Sequence, residues 1–183
     1  MGVSFDKQVV LVTGGTRGLG KAFSQCAASA GATVVLNSTG DDDGGATQSI
    51  NDAGGHAIHM PGRVEEPETL IEDIVKRLGR IDAVIHNAGF VRDKTLRKMS
   101  NEQWDDVLSV HLTASFRLSR AVWPYFEDQG GGRIVFISSA SGLYGNFGQA
   151  NYAAAKLGMY GLARSIAWEG GRTNISCNCV CPV

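Results

Sequence analysis

The eight residues Thr13-Gly14-Gly15-Thr16-Arg17-Gly18-Leu19-Gly20 constrain this chain more than any others. They follow at once on Gln8-Val9-Val10-Leu11-Val12, a continuous apolar run that predicts a buried strand. After them Ala22, Phe23, Cys26, Ala27 and Ala30 recur at helical spacing, and Gly31 suits the helix stop. A strand, a glycine-rich turn and a helix in that order make a phosphate cradle. Glycine lets the backbone approach a pyrophosphate, while the helix N-terminus supplies free N–H groups and the positive end of a dipole. Gly14, Thr16, Arg17, Gly18, Leu19 and Gly20 are therefore candidate dinucleotide contacts. A bare glycine cluster carries little weight, and the flanking strand and helix are what lift this one above a simple tight turn.

The rest of the chain repeats the alternation. Residues 33–37, 56–60, 81–85, 134–137 and 174–180 read as strands. Between them lie helical segments. Residues 47–53 form a short, weakly amphipathic one closed by Gly54-Gly55. Pro67 opens the next, with Glu65, Glu66 and Glu68 at its positive end. Leu70, Ile71, Ile74, Val75 and Leu78 make its buried stripe, and Gly79 ends it. Ser100 and Gln103 have the form of a capping box. The helix they begin carries Trp104, Val107, Leu108, His111, Leu112 and Phe116 at helical spacing and is expected to kink at Pro124. Asp41-Asp42-Asp43-Gly44-Gly45 reads as a solvated turn, since no glutamate completes a calcium loop. This order of elements predicts an α/β fold, a doubly wound parallel sheet with helices on both faces and strands in the order 3-2-1-4-5-6.

A second constellation follows the strand at 134–137. Ser139 stands at its carboxyl end, and Tyr152 and Lys156 are four residues apart, on one face of a helix. An ammonium beside a phenol favours the phenolate and is expected to lower its pKa from the usual ~10. A phenol tuned in that way passes a proton near neutral pH, and Ser139 is placed to hold the oxygen that receives it.

Composition excludes several classes. Net charge is −1, which offers no electrostatic footprint for nucleic acid or an anionic membrane. No apolar run approaches the ~18 residues of a membrane span. The first residues show no basic-then-apolar leader pattern. Cys177, Cys179 and Cys181 alternate along the last strand and read as small buried thiols in a reducing cytoplasm. His56 and His59 lack a third ligand and read as strand-edge residues, so no metal site is expected.

The form T-G-x-x-x-G-x-G at Thr13–Gly20, together with Ser139, Tyr152 and Lys156, resembles the short-chain dehydrogenase/reductase family. The resemblance runs from Lys7 to Val183. It implies a Rossmann-type doubly wound sheet in a three-layer α/β/α arrangement. The chain reads as one dinucleotide-binding domain over residues 1–183. It stops where family members continue with a substrate loop and a seventh strand, so the C-terminal part of the usual domain is expected to be missing. His86-Asn87-Ala88-Gly89 resembles the family's N-N-A-G motif with His in its first position, and Asn87, Ala88 and Gly89 are implied cofactor neighbours. His111 falls where many members carry a catalytic Asn, whose carbonyl holds a water linked to the lysine. Its imidazole can equally be a satisfied core group.

In this fold an acidic residue after the second strand selects NAD. Here Ser38 and Thr39 stand there, and Arg17 offers a guanidinium to a 2′-phosphate. NADP is favoured, with NAD left open by Asp41 to Asp43. The wording from Ser139 to Tyr152, with His111-Leu112 and Cys177-Asn178, resembles most closely the (3R)-hydroxyacyl-CoA dehydrogenase domain of the peroxisomal multifunctional type 2 group and bacterial single-domain relatives. That resemblance implies an NAD(P)-dependent oxidoreductase acting on a small carbonyl or alcohol substrate, such as an acyl-CoA thioester. It implies a homodimer or homotetramer, in the cytoplasm or, in a eukaryote, the peroxisome. The alternatives are a non-catalytic dinucleotide-binding module and a reductase of another small carbonyl.

Overall fold

Six strands pair in parallel in the order β3-β2-β1-β4-β5-β6 in the computed structural model, which describes residues 3–42 and 44–182. In chain order the elements are β1 (Val9–Thr13), α1 (Gly18–Ser29), β2 (Thr33–Ser38), α2 (Ala46–Asp52), β3 (His56–Pro61), α3 (Glu68–Leu78) and β4 (Ala83–His86). Then follow α4 (Asn101–Leu108), α5 (Ala114–Asp128), β5 (Gly132–Ile137), α6 (Ala140–Tyr144), α7 (Ala150–Gly170) and β6 (Ile175–Val180). The registers Val10↔Val34, Val10↔Ala83 and Val84↔Ile134 bring the carboxyl ends of the central strands level. The order reverses between β1 and β4, and ligands of open α/β sheets bind at such a switch point.

β1 and β2 are largely apolar and buried because both faces of the sheet are covered there. On one face Val9, Leu11, Val84, Ile134 and Phe136 pack against α3, α5 and α7 through Ile74, Leu118, Phe126 and Met159. On the other, Val10, Val12, Val34 and Leu36 meet Ala27 and Ala28 of α1 and Ile50 of α2. Local signals hold at several boundaries. The Ser100–Gln103 capping box is formed in both directions, and Gly79 ends α3 in the left-handed region at φ 78°. His56 and His59 lie on edge strand β3, and no metal-holding cluster occurs among the described residues.

Three expectations need correction. The helix after Ser100 is not one continuous helix, and it does not end at Pro124. A π turn, Ser109–Thr113, interrupts it, and α5 runs through Pro124 to Asp128. Pro124 and Arg120, four residues before it, are exposed, so the carbonyl that loses its N–H partner meets water, while Val122 and Phe126 stay anchored in the core. The thiols are not uniformly buried: Cys177 is, but Cys179 and Cys181 are only partly covered, because β6 runs out of the core toward its carboxyl end. The acidic turn is not merely solvated. Asp42 accepts backbone N–H groups from Ala46 (3.0 Å) and Thr47 (2.6 Å), which caps α2. Asp43 lies outside the described residues.

Candidate active site

Tyr152 and Lys156 lie in the first two turns of α7, and that end of the helix is tied down. Asn151, with no solvent exposure, donates from Nδ2 to the carbonyls of Gln103 (2.8 Å) and Arg92 (3.2 Å) and accepts the Tyr152 N–H at Oδ1 (2.8 Å). Ser138 Oγ donates to the Lys156 carbonyl at 2.8 Å and pins the next turn to the end of β5. Neither residue stood out in the sequence, because their partners lie far away along the chain and follow no period.

Lys156 is 3% exposed, and its ammonium donates to the Ile137 carbonyl at 2.6 Å. Burial pulls its pKa down to about 8, against the opposing influence of Cys179 and Cys181. The Nζ atom lies 5.4 Å from the centroid of the Tyr152 ring. The phenol does not have the lowered pKa expected from the spacing. Burial raises it above its ordinary value, Asp93 adds to the rise, and a hydrogen bond with Ser139 only partly offsets both. The ammonium is engaged by a main-chain carbonyl, and burial dominates the shift of the phenol.

Ser139 caps α6, a helix of 5 residues that spacing alone did not announce, accepting the Ser141 N–H at 3.2 Å. His111 sits within the π turn, 2% exposed, with its ring edge-on to that of Tyr152 at 5.2 Å between centroids. Its Nε2 lies 2.8 Å from the Phe90 carbonyl and 3.3 Å from the Phe90 backbone N–H. Burial, followed by the Lys156 charge, pushes its pKa down to about 4, so the imidazole is neutral at pH 7. The His111 carbonyl accepts from Ser115 Oγ at 2.6 Å and lies 3.3 Å from His86 Nε2.

The glycine turn abuts this region. Gly14 is left-handed at φ 62°, and a Cβ there would meet Ala88 Cα at 3.0 Å. Asn87 Nδ2 bridges the carbonyls of Thr13 and Gly14, both at 3.3 Å, and so ties β4 to β1. The first turn of α1 has no side-chain cap and no acidic residue, which leaves its N–H groups free for an anion. The residues present therefore fit a dinucleotide pyrophosphate. At the ribose end, Ser38 Oγ lies 2.8 Å from both the Gly40 carbonyl and His59 Nε2. Arg17 is exposed and forms no ion pair among the described residues. Asp42 is committed to α2. Val64 is buried, while Arg63 pairs with Glu65 at 2.6 Å.

Ser139, Tyr152, Lys156, His111, Asn87, Gly89 and Leu19 share one cleft of about 340 Å³ at the carboxyl edge of β4 and β5. Gly14, Thr16, Arg17, Gly18, Gly20, Ser38 and Ala88 do not line it. A larger groove of about 710 Å³ lies between β3 and α3 and shares no lining residue with the cleft.

The parallel sheet, the uncapped helix behind a glycine turn and the Ser–Tyr–Lys cleft define the class of nucleotide-dependent oxidoreductases built on a doubly wound sheet. The family model described as short chain dehydrogenase matches residues 8–183. The peroxisomal multifunctional enzyme type 2 of Mus musculus is 44% identical over 97% of this chain, which spans 26% of that protein's length. The 3-oxoacyl-(acyl-carrier-protein) reductase FabG of Escherichia coli is 37% identical over 98% of this chain and 74% of its own. A candidate NAD(P)-dependent gluconate 5-dehydrogenase from Beutenbergia cavernae, solved with NADP at low occupancy, superposes with a TM-score of 0.93. It is 30% identical, over 98% of this chain and 73% of that one. This chain belongs to the short-chain dehydrogenase/reductase family, whose members bind NAD(P). No helix among the described residues is long and apolar enough to cross a membrane.

Proposed function

We propose that this chain is a single dinucleotide-binding domain that interconverts a secondary alcohol and a ketone on a 3-hydroxyacyl or 3-oxoacyl thioester, with NADP preferred over NAD. The observation that carries the reading is the meeting of Ser139, Tyr152 and Lys156 in one cleft beside an uncapped helix N-terminus. The nicotinamide, when bound, supplies or takes up the hydride. Ser139 donates to the substrate oxygen and orients it. Tyr152 gives its proton to that oxygen in reduction and takes one in oxidation. Lys156, largely protonated below its pKa of about 8, binds the nicotinamide ribose and supports the phenolate as it forms. In the reduction direction its attraction acts on that developing charge, since the raised pKa keeps the phenol as the proton donor.

Gly14, Thr16, Gly18, Leu19 and Gly20 cradle the pyrophosphate, and Asn87, Ala88 and Gly89 form the floor beneath the nicotinamide. Arg17 and Ser38 face the 2′-phosphate, and the commitment of Asp42 to α2 leaves that acid unable to bind ribose hydroxyls. The acyl thioester comes from the mouse and Escherichia coli relatives by analogy. Four free cysteines suit a reducing, cytoplasmic setting. Exposed Phe116 on α5 and Leu157 and Tyr160 on α7 suit pairing into a homodimer or homotetramer.

The test is reduction of acetoacetyl-CoA with NADPH and NADH. Tyr152→Phe is expected to lower kcat by about 10²–10⁴-fold while NADPH affinity stays within about twofold of the parent. A Tyr152→Phe enzyme that turns over at the parent rate sinks the assignment. Activity with NADH alone sinks the cofactor preference.

A further inference from the structure

His86 ends β4, is wholly buried and has no part in the chemistry described above. Its Nδ1 lies 2.9 Å from Thr13 Oγ1. That oxygen already accepts the backbone N–H groups of Asn87 (3.1 Å) and Ala88 (3.0 Å). The threonine's own proton is therefore left for Nδ1, which must be bare. At the other end of the ring, Nε2 lies 3.2 Å from the Val110 carbonyl and 3.3 Å from the His111 carbonyl. Both are acceptors, so Nε2 must carry the proton. One species satisfies every contact: a neutral imidazole protonated at Nε2. A cation would aim a second N–H at a hydroxyl whose lone pairs are taken. Burial, with Lys156 and His111 nearby, acts in the same direction and holds the pKa down at about 3.

The ring thus joins two parts of the site that are distant in sequence, Thr13 on one side and the Val110 and His111 carbonyls on the other. Thr13 opens the glycine turn. Val110 and His111 belong to the π turn, which sets the His111 ring edge-on against Tyr152. We propose that His86 is a positioning residue: its Nε2–H holds the π-turn carbonyls, and through them the His111 ring and Tyr152, in register with the glycine turn. This rests on the functional reading above, since only an enzyme needs Tyr152 registered to a cofactor.

Two substitutions separate the ends of the ring. In His86→Gln the terminal amide reaches the place of Nε2 and keeps a donor for the carbonyls. In His86→Asn the amide reaches only the place of Nδ1, keeps an acceptor for Thr13 and loses the carbonyls. His86→Asn is expected to lower kcat by about tenfold, since sub-ångström misplacement of a reacting group costs rate, with KM for the cofactor within about twofold of the parent. His86→Gln is expected to stay within about threefold of the parent kcat. The side-chain ¹⁵N spectrum of the parent is expected to show Nε2 protonated and Nδ1 bare at neutral pH. If both variants keep the parent kcat and only melt earlier, His86 is a structural strut and the proposal falls. A spectrum showing protonated Nδ1 overturns it too. If the parent reduces no carbonyl with either cofactor, the functional reading fails by itself, and the spectrum still decides whether His86 grips the π turn.

Discussion

Alanine in place of Gly20 tests the glycine turn where the structure is tightest. A Cβ at Gly20 would fall 2.0 Å from the Gly14 carbonyl oxygen and 2.7 Å from Asn87 Nδ2. Real Cβ atoms essentially never come closer than 3.0 Å, so α1 and the turn must part by about 1 Å. Inside a helix the same substitution ordinarily stabilises by about 0.5–1 kcal/mol, because glycine loses the most chain entropy on folding. Overpacking against backbone costs about 1–3 kcal/mol, which leaves a net loss between about 0 and 2.5 kcal/mol. Gly161, exposed on α7, is the control: nothing lies within 4 Å of its would-be Cβ. There alanine is expected to stabilise by about 0.5–1 kcal/mol.

Urea unfolding of the parent and both variants, followed by tryptophan fluorescence, gives the two shifts. Repeating it at lower protein concentration separates folding from self-association. Gly20→Ala is also expected to weaken NADPH binding by at least about tenfold, since the displaced carbonyl belongs to the phosphate cradle. Gly161→Ala should leave that affinity alone. Shifts of the same sign in both variants would refute the contact reasoning. Unchanged NADPH affinity in Gly20→Ala would refute the placement of the cradle.

Two further outcomes follow from the site. The imidazoles of His86 and His111 have pKa values pushed down to about 3 and about 4, whereas an unfolded histidine titrates near ~6.5. The unfolded chain therefore binds more protons in that window, and stability present above about pH 6.5 is lost as pH falls toward the native values. Each ring is expected to remove about 2 kcal/mol between about pH 6.5 and pH 5, and a flat urea-midpoint profile across that range would contradict their neutral burial. Arg17→Ala is expected to raise KM for NADPH by about tenfold and barely change that for NADH, through loss of a guanidinium–phosphate contact. Equal effects on both cofactors would remove Arg17 from the 2′-phosphate site.

The amino-acid sequence by itself determined the order of the strands, the parallel sheet and the glycine turn. Each rests on local physics: apolar runs too continuous for a half-exposed strand, glycines where the backbone must turn, and a Ser100–Gln103 box that closes within one helical turn. It also placed Ser139, Tyr152 and Lys156, because a strand end and a four-residue helical spacing bring them together.

Tertiary structure alone decided the electrostatics. Spacing put the ammonium near the phenol, but the Ile137 carbonyl claims it and burial raises the Tyr152 pKa. Desolvation depends on everything packed around a group, and no pair spacing records that. The π turn at Ser109–Thr113, the link from Thr13 to His86 and the capping of α2 by Asp42 were likewise decided in three dimensions. Buried donors and acceptors must find partners wherever the folded chain brings them.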